Sequence, residues 1–295
     1  MQHVIRGRHE SMGTFFEAIL VGGDAEHLIA VMNLAWEEVS RLDHLLSRFA
    51  ASSEISRINR TAGKGPVRID MEMFQILKLC EEYGARTRGY FDVTLGGSRT
   101  NQEGAGASLI HFSAYQLDSA ECTVQLWRPA AMIDLGGFAK GYALDRLRGI
   151  LTQHRVGNAL LHGGTSSVLG LGGAPSGEAW PVGIGNPASE QDPRQELSQV
   201  ALRDRGLSCS AALFPGSQLS DIVVPQTGQP LTEQTSCVVL APTALEAEIL
   251  STALLSMGRA GAAGYIEQQG RPDLHVGWID VDAGKAELRW LSGNP

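Results

Sequence analysis

The stretch that decides the fold reads Ile133-Asp134-Leu135-Gly136-Gly137-Phe138-Ala139-Lys140-Gly141-Tyr142-Ala143. The apolar residues up to Leu135 predict a β-strand, the two glycines predict a tight turn, and a helix follows with Lys140 in its first turn. The unpaired N–H groups and the positive dipole end of such a helix suit an anion. Because a cation is unfavourable at that end, Lys140 needs a compensating phosphate or carboxylate.

This junction differs from the common nucleotide-binding motifs. It contains neither the dinucleotide pattern G-x-G-x-x-G nor the P-loop pattern in which a Gly-Lys pair precedes Ser or Thr. A tight turn followed by a solvated lysine is the alternative interpretation, and the pattern alone leaves both open.

Hydrophobic spacing around the junction predicts an α+β fold. We expect helices from Asp24 through Leu46, from Asp70 to Arg88, from Phe138 to His154, and from a Thr-x-x-Glu capping box at Thr243 onward. The predicted strands are Phe15–Val21, Ala159–Leu161, Val168–Leu171, Val182–Ile184, Val200–Leu202, Ile222–Val224, Cys237–Leu240 and Val276–Val281. Because these strands cluster in the second half and do not alternate with helices, a doubly wound sheet is disfavoured.

Length and composition indicate an ordinary globular protein. The 295 residues are 43% apolar and 19% charged, which is enough to bury a substantial core. We expect residues 1–295 to form one domain, with surface loops at Gly96–Ser108 and Pro187–Glu196. The formal net charge of -8 argues against a broad nucleic-acid surface, and the four cysteines form no CxxC pair that would suggest zinc.

The N-terminal residues give no sign of export. They lack the apolar core of a signal peptide, and no run reaches the roughly 18 apolar residues of a membrane span. We therefore expect a cytoplasmic location.

A candidate metal site lies on the helix that begins near Thr243. Glu248, Ser251 and Thr252 stand at i, i+3 and i+4, so they share one helix face. Their neighbours are almost all apolar, and polar groups in such surroundings need partners. A carboxylate with two hydroxyls suits a hard cation such as Mg²⁺. The alternative is an amphipathic helix whose polar positions face water.

A third candidate is the segment Gly89-Tyr90-Phe91-Asp92-Val93-Thr94. Its two aromatic rings suit stacking on a planar ligand, and the aspartate beside them suits a polar contact. The alternative is a core aromatic residue followed by an aspartate in a turn.

The order of these segments resembles the ApbE family of FAD:protein FMN transferases. The resemblance covers positions 12 to 258. The segments that carry it are Met12-Gly13-Thr14, Ser47-Arg48-Phe49, Ser53–Asn59, Gly89–Thr94, Asp134–Asp145, Leu161–Gly164, Pro225–Pro230 and Glu248–Thr252. The resemblance implies an ApbE-like fold in which mixed or antiparallel sheets are flanked by helices and a flavin-binding cleft lies between two lobes.

The resemblance also implies a reaction and a set of site residues. FMN would be transferred from FAD to a Ser or Thr of an acceptor protein that carries a flavinylation motif, with Mg²⁺ as cofactor and AMP as the leaving product. The residues implied to contact FAD are Met12, Phe49, Tyr90, Phe91, Asp92, Asp134 and Lys140. The implied Mg²⁺ ligands are Glu248, Ser251, Thr252 and the carbonyl of Gly137.

The sequence departs from the family pattern in four places, one of which is Thr165 after Gly163-Gly164, where the family reads G-G-N. Cys209-Ser210-Ala211 stands where the family reads T-S-G, and Glu248 is one methylene longer than the family's aspartate. Asp221 replaces a histidine that the family links to transfer, which makes Asp221 the candidate general base. Two alternatives therefore stay open: an FAD- or nucleotide-binding paralogue without transferase activity, and a pyrophosphatase that splits FAD into FMN and AMP with water.

Overall fold

The computed structural model describes residues 2–95, 114–129, 131–189, 195–213 and 220–295. Its strands are β1 (His3–Ser11), β2 (Thr14–Gly22), β3 (Val67–Arg68), β4 (Tyr115–Asp118), β5 (Thr123–Leu126), β6 (Asn158–Gly163), β7 (Ser167–Leu171), β8 (Trp180–Gly185), β9 (Glu196–Leu202), β10 (Arg205–Ala211), β11 (Val223–Val224), β12 (Gln229–Pro230), β13 (Thr235–Ala241), β14 (His275–Asp282) and β15 (Lys285–Trp290). Its helices are α1 (Ala25–Leu46), α2 (Glu54–Arg60), α3 (Met71–Arg86), α4 (Ala139–Gln153) and α5 (Ala244–Gln269).

One large antiparallel sheet organises the described residues. Its strand order is β1-β2-β6-β7-β10-β13-β14-β15, and each neighbouring pair runs antiparallel. Smaller sheets are formed by β3-β5-β4, by β8-β9 and by β11-β12. The combination of helices with antiparallel sheets confirms the predicted α+β class.

The two faces of the large sheet pack against different elements. Phe16 and Leu20 of β2 belong to the apolar cluster that α1, α3 and α4 complete. Val21 points the other way, to a cluster covered by the β8-β9 hairpin with Trp180 and Val182. This alternation follows from the period of two along a strand. Each large apolar side chain buried in this way contributes about 1.5–3 kcal/mol.

The first half of helix α5, which carries three of the predicted metal ligands, is deeply buried. Every residue from Ala244 to Ser256 is buried except Thr252, which is partly open. The prediction of a mostly buried helix is therefore confirmed. The helix bends at Gly258, whose φ of 72° lies in the left-handed region that favours glycine.

The predicted elements are found with small shifts at their ends. The eight predicted strands fall within β2, β6, β7, β8, β9, β11, β13 and β14, apart from single residues at their ends. Asp24, Asp70 and Thr243 cap α1, α3 and α5 by accepting backbone N–H bonds. Helix α3 ends at Arg86 rather than Arg88. The carboxylate of Glu246 pairs with Arg86 and Arg271 in an ion-pair cluster, whereas its backbone N–H donates to Thr243 Oγ1 at the helix start.

The elements that the sequence did not predict include β1, α2 and β10. Along β1 the side chains alternate between half-buried and exposed, so the hydrophobic signal of this edge strand is weak. Strand β10 reads Arg-Gly-Leu-Ser-Cys-Ser-Ala, and its pairing is imposed by β7 and β13 on either side.

Two predicted features are only partly open to comparison. The loop Gly96–Ser108 lies outside the described residues, as do positions 190–194 of the loop Pro187–Glu196. Glu196 itself begins β9, so that loop ends one residue earlier than predicted.

Among the described helices, none combines the length and the apolar character that crossing a membrane requires. The single domain over residues 1–295 stays a prediction.

Candidate active site

A pocket opens where four separate stretches of the chain meet. Its walls come from residues 90–95, from the glycine turn at 134–137, from the start of β11 and from the middle of α5. The lining residues are Tyr90, Phe91, Asp92, Val93, Leu95, Asp134, Gly136, Gly137, Ile222, Val223, Thr252 and Ser256. Six of the predicted site residues therefore lie together: Tyr90, Phe91, Asp92, Asp134, Gly137 and Thr252.

The segment before the glycine turn is irregular, and the strand predicted there is wrong. Only Met132 forms an isolated bridge, with Leu95. The side chain of Asn59 takes the place of a neighbouring strand: its Oδ1 accepts from the Ile133 N–H at 2.7 Å, and its Nδ2 donates to the Ile133 carbonyl at 2.9 Å. These bonds satisfy the backbone without a sheet partner.

The anion predicted at the start of α4 is a carboxylate of the chain itself. Lys140 Nζ lies 2.5 Å from Oε1 of Glu248, and the Gly141 N–H donates to Oε2 of the same carboxylate. The Glu248 side chain is only 3% exposed, so this charge is paired inside the protein. Of the two partners that the sequence left open for Lys140, the structure shows the carboxylate.

The close contact between α4 and α5 requires glycine at position 141, because any Cβ there would collide with α5. A Cβ placed on Gly141 would lie 2.6 Å from the Ala244 carbonyl oxygen and 2.8 Å from Oε2 of Glu248. Only glycine permits the two helices to approach this closely. The sequence block Lys-Gly is therefore a packing requirement as well as an electrostatic one.

The predicted metal-ligand face of α5 is joined to β10 by a network of hydroxyl groups. Ser251 Oγ lies 2.8 Å from Ser210 Oγ, 3.2 Å from Ser208 Oγ and 3.0 Å from the Glu248 carbonyl oxygen, and it can donate its one hydrogen to a single one of them at a time. Thr252 Oγ1 lies 3.1 Å from Ser210 Oγ. Thr252 is also close to the glycine turn, since a Cβ on Gly137 would lie 3.3 Å from its hydroxyl.

Ser208 and Ser210 are site residues that the sequence reasoning missed. Ser210 lies in the segment Cys209-Ser210-Ala211, which corresponds to the family's T-S-G. The signal that was available is the alternation of serines at 208 and 210, which places both on one face of a strand.

The two carboxylate oxygens of Asp92 differ in their hydrogen bonding. Its Oδ1 accepts from the Thr94 N–H at 2.8 Å and from Thr94 Oγ1 at 2.7 Å. Its Oδ2 is buried and has no hydrogen-bond partner among the described residues. Burial raises the pKa of Asp92, and the two bonds from Thr94 oppose that rise.

Asp134 is held from two sides. Its Oδ1 accepts from the Gly136 N–H at 2.9 Å, which shapes the glycine turn. Its Oδ2 lies 3.3 Å from Nε of Arg48, whose guanidinium carbon lies 4.3 Å from the centroid of the Phe49 ring. Arg48 is a further residue that the sequence reasoning left without a role.

Six predicted site residues are not among those that line the pocket: Lys140, Glu248 and Ser251, described above, and Met12, Phe49 and Asp221. Met12 turns with a φ of 53° and donates its N–H to Oδ2 of Asp43 at 2.9 Å. Phe49 is 82% exposed. Asp221 is exposed and directly precedes Ile222 of the pocket wall. Their predicted roles stay predictions.

The family model that matches this chain is that of the ApbE family, over residues 12–276. A protein of Klebsiella pneumoniae (strain 342) named FAD:protein FMN transferase is 28% identical over 310 residues, with 96% of this chain and 86% of the relative covered. A protein of the same name from Escherichia coli (strain K12) is 27% identical over 293 residues, with 90% and 82% covered.

Solved structures show the same fold. The flavinyl transferase ApbE of Pseudomonas stutzeri in its apo form has a TM-score of 0.84 at 22% identity, with 98% of this chain and 94% of that chain covered. The flavin transferase ApbE from Vibrio cholerae has a TM-score of 0.82 at 18% identity, with 98% and 97% covered. The predicted ApbE-like fold is confirmed, and since the family model spans most of the sequence, the chain belongs to the ApbE family.

Proposed function

We propose that this protein is an FAD:protein FMN transferase, which moves FMN from FAD to a Ser or Thr hydroxyl of an acceptor protein and releases AMP. The observation that carries the proposal is the pocket, where Asp134 and Thr252 meet beside the aromatic rings of Tyr90 and Phe91. The relatives named for this activity support it.

The transfer forms one bond and breaks one. The acceptor oxygen bonds to the phosphorus of the FMN moiety, the bond from that phosphorus to the AMP phosphate oxygen breaks, and the hydroxyl proton goes to a base. We assign the base role to Asp221, because it is exposed to an incoming protein and adjoins Ile222 and Val223 of the pocket wall. A carboxylate is a weaker base than imidazole, so we expect slow transfer.

The proposed Mg²⁺ ligands are oxygen donors on α5 and on the glycine turn. Glu248, Ser251, Thr252 and the Gly137 carbonyl are all oxygen donors, and Thr252 lies close to Gly137. The described residues contain no group of three or more His, Cys, Asp or Glu that would hold a metal alone. One carboxylate completed by substrate phosphate oxygens is a usual arrangement for Mg²⁺. When bound, the ion would neutralise charge on the pyrophosphate.

Lys140 and Glu248 would change partners when the substrate binds. Each is the partner of the other in this structure, with 2.5 Å between Nζ and Oε1. If Glu248 served as a ligand of bound Mg²⁺, the Lys140 ammonium would be available to pair with a phosphate oxygen of FAD. Lys140 is 23% exposed, so its ammonium has a path to the ligand.

The remaining wall would hold the organic part of FAD. Phe91 and Tyr90 offer ring faces or edges to a planar ligand, and the unused Oδ2 of Asp92 offers one acceptor, or one donor when protonated. Met12 and Phe49 are proposed to contact FAD from outside the present lining. The cytoplasmic location stays part of the proposal.

The test is an assay of three products. The protein is mixed with FAD, Mg²⁺ and a small acceptor with a flavinylation motif, and the denatured acceptor is examined for flavin fluorescence while released AMP is measured. A fluorescent acceptor with AMP supports the transferase. AMP and FMN without a labelled acceptor indicate the pyrophosphatase, and bound FAD with no product indicates the binding paralogue.

The role of Asp221 is tested in the same assay. Asp221→His is expected to raise the transfer rate at neutral pH about tenfold or more, and Asp221→Asn to lower it by a similar factor. Asp204→Asn, on an exposed turn before β10, is the matched control. Equal rates for Asp221→Asn and the unsubstituted protein would remove Asp221 from the mechanism.

A further inference from the structure

Arg48 connects an exposed aromatic ring to the pocket. Its Nε lies 3.3 Å from Oδ2 of Asp134, which lines the pocket. Its guanidinium carbon lies 4.3 Å from the centroid of the Phe49 ring. The Arg48 side chain is 20% exposed, whereas Phe49 is 82% exposed. One side chain thus holds a pocket carboxylate and a ring that keeps an open face.

The backbone around Arg48 is fixed by serine hydroxyls. Ser47 Oγ accepts from the N–H groups of Phe49 at 3.3 Å and Ala50 at 3.2 Å. Ser56 Oγ donates to the Arg48 carbonyl at 3.1 Å. The exposure of Phe49 therefore occurs on an ordered turn, where an apolar ring would gain free energy if a ligand covered it.

We propose that Arg48 is a positioning residue for the isoalloxazine ring of FAD. It holds Phe49 with one face open for stacking and fixes that ring relative to Asp134. The inference depends on the proposed function, since it takes FAD as the ligand. A guanidinium suits this task because its plane stacks on an aromatic ring while its edge donates to a carboxylate, which an ammonium cannot do together.

The experiment measures FAD binding by Arg48→Lys, Phe49→Leu and the double variant. We expect Arg48→Lys to weaken FAD binding about fivefold, with the affinity for ADP, which lacks the flavin ring, changed less than about twofold. The visible absorption spectrum of the bound flavin is expected to shift toward that of free FAD. In the transfer assay KM for FAD rises, while kcat changes little.

The double variant tests whether Arg48 acts through Phe49. If it does, the double variant binds FAD about as weakly as Phe49→Leu alone. If the two losses multiply, the residues act independently and the proposal is overturned. Equal loss of FAD and ADP affinity would also overturn it, because the effect would not depend on the flavin ring.

A matched control exists elsewhere in the fold. On the β1-β2 hairpin, the Arg8 guanidinium carbon lies 4.2 Å from the centroid of the Phe15 ring, and Arg8 Nη1 lies 3.5 Å from Glu17 Oε1. None of these three residues lines the pocket. Arg8→Lys is expected to leave FAD binding unchanged. If the unsubstituted protein binds FAD and Arg48→Lys binds it equally well, this inference alone is overturned. If the unsubstituted protein does not bind FAD, both the proposed function and this inference are overturned.

Discussion

Two regions of the site use their polar groups in opposite ways. In the α4-α5 junction, formed by Lys140, Gly141, Glu248 and Ser251, charges and hydroxyls bind one another. The second region, here called the aromatic wall, comprises the pocket residues 90–92 and the Arg48–Phe49 pair, which lies outside the pocket lining and contacts Asp134. In it Asp92 keeps a buried oxygen without a partner among the described residues, and Phe49 keeps an exposed ring.

This difference separates polar groups that stabilise the fold from groups that are available to bind a ligand. A buried charge without a partner costs several kcal/mol, so the charges of the junction pair with one another. Groups without a partner cost little free energy in the aromatic wall, because a carboxyl group can stay protonated and an aromatic ring can remain exposed to water. Substitutions in the junction should therefore affect stability first, and substitutions in the wall should affect binding first.

The largest expected effect is that of Glu248→Ala. It leaves the partly buried Lys140 ammonium and the buried Gly141 N–H without their partner, so we expect a loss of about 3 kcal/mol in the free energy of unfolding. Urea denaturation measures the loss. Glu17→Gln, which removes the exposed pair with Arg8, is the control and should cost about 0.5 kcal/mol or less. A loss below about 1 kcal/mol for Glu248→Ala would mean that the junction is not a stabilising contact.

A smaller loss is expected from adding one methyl group to the junction. Gly141→Ala places a Cβ against the backbone of α5, so we expect a loss of about 2 kcal/mol. Gly149→Ala lies on the same helix with nothing within 4 Å of its Cβ, and it should be neutral or stabilising by up to about 1 kcal/mol. Thermal unfolding of the pair tests the comparison, which fails if the two variants shift Tm in the same direction.

Local patterns predicted the elements well, because their signals lie close together in the chain. Helix α1 is the clearest case: all seven apolar residues at helical spacing after Asp24 are buried. The junction block likewise predicted a helix start at Phe138, which is the N-cap of α4, and an anion near Lys140. Periodicity and capping carry such information without reference to the rest of the fold.

Partners that depend on distant pairing could not be predicted. Glu248 compensates Lys140 from 108 positions away, and Ser210 reaches Thr252 only because β10 pairs between β7 and β13. The wrong strand before the glycine turn has the same origin, since the side chain of Asn59 supplies the hydrogen bonds that a sheet would otherwise provide. A side chain that replaces a strand leaves no local pattern in the sequence.

A third substitution tests whether Mg²⁺ and Lys140 compete for Glu248. Lys140→Met keeps the length of the side chain and removes its charge, so we expect the affinity for Mn²⁺ alone, used as a spectroscopic substitute for Mg²⁺, to rise about fivefold. Electron paramagnetic resonance of free Mn²⁺ measures this. FAD affinity should fall at the same time, because the ammonium is lost to the phosphates. Weaker Mn²⁺ binding would show that Lys140 supports the metal site.

The smallest effect on stability is expected in the aromatic wall, and it depends on pH. Because burial raises the pKa of Asp92 in the folded protein, ionisation destabilises the fold as pH rises through that raised value. Asp92→Asn cannot ionise, so its stability relative to the unsubstituted protein should improve from about pH 4 to about pH 8. Urea unfolding across this range measures the trend.

Thr94→Val provides the opposite test in the same wall. It removes the hydroxyl that donates to Oδ1 of Asp92 at 2.7 Å, so the ionised carboxylate loses one of its two bonds. This variant should lose more stability at about pH 8 than at about pH 4, which is the reverse of the trend for Asp92→Asn. Parallel pH trends in the two variants would show that Asp92 is stabilised as an anion, and the contrast between the wall and the junction would then disappear.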